Sequence, residues 1–245
     1  MAGKSVVWIA TLCAALTATM ANADVQAAPL ETSNHLSMDT TNPSGIYTDR
    51  LSPRRLKLWK SLTAMVLATD AAGNPLYARL HALWQAVATS GHVVYVELPA
   101  WNGIHHKAGE VVVEKVDQKG YSSAVAIRLY PDVIDHATSE SSDEEFRPFL
   151  GLGKTERYLE VLGHELAHAV MALREPDYAR KMLDLASESA NYAAFYRMYV
   201  ESPQYAEEMR QRAERIQILT EILERPACAA EMEVWRELTQ KRSGK

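Results

Sequence analysis

Residues 155–173 read Thr-Glu-Arg-Tyr-Leu-Glu-Val-Leu-Gly-His-Glu-Leu-Ala-His-Ala-Val-Met-Ala-Leu. Leu159, Leu162, Leu166, Ala169 and Leu173 recur at helical spacing, so the segment is expected to be a helix with one apolar side. His164, Glu165 and His168 fall inside it with the spacing H-E-x-x-H. On a helix, positions i and i+4 lie about 40° apart around the axis. Both imidazoles therefore leave one side, a turn apart, and can converge on a single ion. Glu165 stands next to the first imidazole; in such a site a glutamate there serves as a base for water activated by the cation. The small neighbours Gly163, Ala167 and Ala169 leave room around the motif.

Working outward, segment 155 onward stays helical almost to the C-terminus, with interruptions expected at Pro176, Pro203 and Pro226. Upstream, the period changes to that of strands. Residues 92–98, 110–116 and 122–130 are rich in valine, isoleucine and tyrosine, and Gln118-Lys119-Gly120 marks a hairpin turn between the last two. Further upstream, Ser52-Pro53 and Asn74-Pro75 are helix-start signals, each followed by apolar residues at helical spacing (Leu56, Leu58, Trp59, Leu62, Val66; then Leu76, Leu80, Leu83, Trp84, Val87). The expected fold class is α+β, mostly helical, with a small, mainly antiparallel sheet beside the helix of the motif. Residues 49–245 form one expected domain.

The chain has 245 residues, 47% hydrophobic and 23% charged, which is the range of an ordinary globular protein. Its formal charge of −5 gives no electrostatic reason to expect a nucleic-acid partner. Residues 1–23 combine Lys4, an apolar run and Ala21-Asn22-Ala23, as in a secretory signal cleaved after Ala23. A secreted or periplasmic protein is therefore expected. No later segment reaches the roughly 18 apolar residues of a membrane span. Residues 24–48, rich in Ser, Thr, Asn and Pro, are expected to form a flexible arm. Of the two cysteines, Cys13 lies in the signal and Cys228 is left alone, so no internal disulfide and no thiol-rich metal framework is available.

The motif on its helix resembles that of the zincin metallopeptidases, over 155–173. That resemblance implies a zincin-like fold, one catalytic zinc ion held by His164 and His168, Glu165 as general base, a peptide or protein substrate lying along a sheet edge, and hydrolysis of amide bonds. The metzincin branch is excluded, since Met171 and Arg174 stand where it needs glycine and a third histidine. The remaining gluzincin-like branch implies a third ligand, a glutamate from a later helix. Glu188 has a spacing from His168 that resembles thermolysin-like enzymes, but it sits to one side of the seam Tyr178, Met182, Leu185, Tyr192, Tyr196 and Tyr199. Glu231 instead falls within the apolar stripe Ala227, Ala230, Val234 and Leu238 of a last helix expected to begin at Pro226. A carboxylate in a core stripe must be paired or coordinated. Glu231 is therefore favoured, with Glu188 next and Glu201 and Glu233 behind it; Glu233 falls on the outer face.

Other signals carry less. Gly153-Lys154-Thr155 ends like a phosphate-binding loop, but Pro148 occupies the place of the leading glycine. His105 and His106 are candidates for a proton donor or a further metal ligand, and Tyr158, Tyr192 and Tyr196 for an oxyanion partner. The acidic stretch 139–145 reads as a solvated loop or the rim of a site. A second function class remains: a non-catalytic envelope binding protein on a zincin-like scaffold. A fourth protein ligand closing the metal site would favour that class, and an open position would favour hydrolysis.

Overall fold

Four stretches of the chain, residues 45–100, 107–117, 119–136 and 152–243, are described by a computed structural model. The signal segment, His105, His106 and residues 139–145 lie outside them. Helix α1 (Pro53–Val66) starts where Ser52-Pro53 places it, with Ser52 as N-cap and proline in the first turn. Helix α2 (Ala78–Ala88) starts later than Asn74-Pro75 suggests. The Asp70 carboxylate accepts the backbone N–H groups of Ala72 and Asn74, both at 2.9 Å, and so spends those residues on a turn. The start of α2 is instead served from afar, since Arg79 donates its backbone N–H to the Glu237 carboxylate at 2.7 Å.

The strands are β1 (Ile46–Tyr47), β2 (Val93–Glu97), β3 (Gly109–Val116) and β4 (Ser122–Leu129). Ile46 and Tyr47, expected in the polar arm, pair with Val94 and Tyr95 and bury Ile46. The sheet is mixed, in the order β1-β2-β4-β3, and this corrects the expectation of a mainly antiparallel one. Only the β3–β4 hairpin is antiparallel; β1–β2 and β2–β4 are parallel. Period-two patterning reports which residues face the core but not strand direction, and the hairpin turn fixes one pairing alone. Among the described residues, β3 is left at an edge.

One face of the sheet (Val94, Val96, Val113, Val125, Ile127, Leu129) packs against helix α4 (Lys154–Arg174). A short helix α3 (Pro131–His136) precedes it. Thirteen of the 21 residues of α4 are buried, so it runs through the core with the sheet on one side and helices on the others. Helix α5 (Pro176–Tyr199) follows immediately, and after a 3₁₀ turn at Pro203–Tyr205 comes α6 (Ala206–Ser243). Pro226 does not begin a new helix; α6 runs through it for 38 residues. Proline within a helix costs about 3 kcal/mol through its missing N–H and its ring. Burial of Leu223, Ala227, Ala230, Val234 and Leu238 opposes that cost. Close approach is what permits the burial: a Cβ on Gly163 would lie 2.9 Å from Val234 Cγ2. The architecture is α+β, and no helix among the described residues is long and apolar enough to cross a membrane.

The other sheet face carries charge. Arg128 bonds Glu97 at 2.7 Å and Glu110 at 3.2 Å, and Arg50 reaches Glu97 at 2.6 Å and Glu114 at 2.5 Å. Partial burial pushes Glu97 up, but Arg128 and Arg50 outweigh it and hold the carboxyl below its ordinary value of 4.5. Glu110 is likewise held down, by Tyr130, Lys107 and Arg128 against burial. A depressed carboxyl stabilises the fold above its unfolded value and loses that contribution as pH falls through its folded one. Arg128→Met should therefore cost about 1 kcal/mol at neutral pH. In urea titrations the gap from the unsubstituted protein should close as pH falls below 4.5; a gap independent of pH would contradict the coupling.

Candidate metal centre

His164 and His168 leave α4 on the side facing α6. Their Nε2 atoms approach to 3.0 Å. A carboxylate oxygen of Glu224, on α6, lies 3.1 Å from His164 Nε2 and 3.5 Å from His168 Nε2. Two nitrogens and an oxygen thus surround one point. For an ion bound tetrahedrally at 2.0–2.1 Å, ligand atoms should be about 3.3 Å apart. The three observed separations bracket that value.

Hydrogen bonds on the far side of each ring decide which atoms face the point. His164 Nδ1 lies 3.1 Å from a Glu231 carboxylate oxygen and donates its proton there. His168 Nδ1 lies 2.6 Å from the Tyr178 hydroxyl, whose own proton goes to the Leu223 carbonyl at 2.9 Å. The hydroxyl has one proton to give, so it accepts from Nδ1. In the neutral rings each Nε2 then carries the lone pair, and the two nitrogens and the Glu224 oxygen lie 3.0–3.5 Å from one another. Positive charge, supplied by a proton on an imidazole or by a metal cation, is what such a set of atoms favours. The titration behaviour agrees. Burial opposes charging of His164, yet Glu224 and Glu231 raise its pKa well above 6.5. Partial burial opposes ionisation of Glu224, yet the two imidazoles hold it well below the usual carboxylate range. The cluster draws positive charge to itself, and its donor set fits zinc.

Of the glutamates weighed from sequence, none is the carboxylate at this point. Glu231 does meet His164, but on Nδ1, the nitrogen turned away from His168. Its place in the stripe is explained by that bond, and an outer partner of this kind fixes the tautomer and aim of a ligating imidazole. Glu188 lines a groove between α5 and α6 with Asp184, Ser187 and Arg215. Glu201 is exposed beyond α5, and Glu233 pairs with Arg79 at 2.7 Å on the outer face. Glu224 and Tyr178 were not read from the sequence in these roles. Tyr158 bonds Asp135 at 2.9 Å, and Tyr192 packs against Tyr196, so each has a structural partner.

Glu165 points toward the sheet. It is 4% exposed, and burial pushes its carboxyl up to about 7 against the pull of His164 and His168. The first residue of β3 passes over it: a Cβ on Gly109 would lie 2.7 Å from Glu165 Oε1 and 2.8 Å from its Cγ. Only glycine allows the strand backbone this close. One turn before His164, Glu160 is 1% exposed, and among the described residues its Oε2 meets no hydrogen-bond partner. Burial and the nearby Glu231 raise it to about 9, so it is a neutral acid behind the cluster.

No known protein family, curated protein or solved structure matches the chain.

Proposed function

We propose that the chain is an exported zinc-dependent hydrolase, a metallopeptidase of zincin, gluzincin-like type, with His164, His168 and Glu224 as the metal ligands. The observation that carries this reading is the convergence of two imidazole Nε2 atoms and a carboxylate oxygen, each imidazole having a partner on its far side that favours a proton on Nδ1. Zinc in such a site supplies a Lewis acid for the scissile carbonyl and lowers the pKa of water toward 7. Glu165 takes the proton of the attacking water and returns it to the leaving amine. A buried carboxyl whose pKa lies near neutrality is suited to both halves of that transfer. Glu231 and Tyr178 hold the rings. β3, the edge of the sheet among the described residues and beside Glu165, is the strand along which an extended peptide would add.

The reading is tested by metal removal. The purified protein should contain one zinc per chain and cleave peptide amides; a chelator should abolish cleavage, and added zinc should restore it. Hydrolysis that survives complete removal of zinc would overturn the proposal. A sharper expectation concerns Gly109→Ala, which should keep its zinc while kcat falls about 10²-fold, because displacing a reacting group by an ångström costs that much. Steady-state kinetics beside metal analysis check it, and an unchanged kcat would show that β3 does not set the position of Glu165.

A further inference from the structure

Cys228 follows Glu224 by one helical turn on α6, so both side chains leave the same face. Glu224, Cys228 and Glu231 recur there at i, i+4 and i+7. The Cys228 Sγ, a ring nitrogen of His164 and a carboxylate oxygen of Glu224 all lie within 4.8 Å of one another. The residue is exposed and its thiol is free, which places it where solvent reaches the donor cluster. Zinc takes thiolate sulfur at about 2.3 Å, which in a tetrahedral site puts sulfur about 3.6 Å from the neighbouring ligand atoms. Relative to His164 and Glu224, Sγ therefore has at most about 1 Å to close, which a rotation about χ1 covers.

Resting on the zinc reading above, we infer that Cys228 is a fourth and displaceable ligand of this centre, whose sulfur closes the position that water needs for hydrolysis. The S–H proton passes to solvent as the sulfur donates its electron pair to the ion, and no oxidation or reduction takes place. When the side chain rotates outward, sulfur regains a proton and water enters. Because Cys228 stands at the rim and not at the centre, it can leave without disturbing His164, His168 or Glu224. This differs from a permanently closed structural site, where the fourth ligand is locked in place by packing.

The test uses the full chain loaded with Co2+ in place of zinc and kept reduced with a phosphine. Four-coordinate cobalt gives visible d–d absorption, and a bound thiolate adds an intense charge-transfer band in the near ultraviolet. The protein should show both. Cys228→Ser should keep the d–d bands and lose the charge-transfer band. The inference fails, with the zinc reading intact, if the reduced protein shows the d–d bands without a thiolate band, or if the band persists in Cys228→Ser. If cobalt does not bind at all, both the inference and the zinc reading fail.

Discussion

Glu165→Gln is expected to keep one zinc per chain and to lose kcat by about 10²–10⁴-fold, the range for removal of a positioned general base. The substitution preserves size and leaves the ligands untouched, so the loss should fall on kcat and not on metal content. The glutamine amide is too weakly basic to take a proton from water at these pH values and so has none to hand to a leaving amine. Packing should tolerate the exchange, because Glu165 is already enclosed by β3 and the amide fills the same volume under Gly109. In the absence of an ion the carboxyl is held up to about 7 by burial, with the imidazoles pulling the other way. A nearby cation adds to that pull and favours the ionised base at neutral pH. Metal analysis and single-turnover hydrolysis are the measurements. A Glu165→Gln protein that cleaves at the original rate would remove Glu165 from the chemistry.

The second large effect separates two glutamates of one helix. Glu224→Ala should weaken zinc binding by roughly 10²–10⁴-fold, the share of one ligand when about 10–16 kcal/mol is spread over three or four of them. Glu231→Ala should cost only about 10–100-fold, since its carboxylate holds the His164 ring and does not face the ion. Glu231→Gln should recover part of that loss, because an amide oxygen can still accept from Nδ1; Glu224→Gln should recover little. Competition with a chromophoric chelator gives both constants. Equal losses at the two positions, or the larger loss at Glu231, would return the ligand role to Glu231.

Why the sequence points to Glu231 and not Glu224 has a physical answer. Proline is a reliable helix start, and taking Pro226 as one removes everything before it from the stripe. In the folded chain the burial of Leu223 below the proline and of Ala227 and Ala230 above it carries α6 through Pro226, and Glu224 lies on the preceding turn. Tertiary packing overrode a local signal. Glu224 and Glu231 are two turns apart on one face, so the stripe identified the face that meets the imidazoles, with Glu224 at the Nε2 atoms and Glu231 at His164 Nδ1. His164, Glu165 and His168 were legible because their geometry is local, set by the turn of a single helix. Tyr178 was hidden for the opposite reason: its partner His168 is on the previous helix, and the Leu223 carbonyl that fixes its proton is on the next. The strands were placed closely by valine and isoleucine alternation, while the parallel β2–β4 pairing needed the third dimension.

Diffraction recorded on either side of the zinc absorption edge tests the central claim most directly. The predicted result is a single anomalous peak per chain, within about 2.0–2.2 Å of His164 Nε2, His168 Nε2 and a Glu224 oxygen. A crystal of zinc-loaded protein with no peak at that point, or with the ion bound to the Glu231 carboxylate on the Nδ1 side of His164, would contradict it.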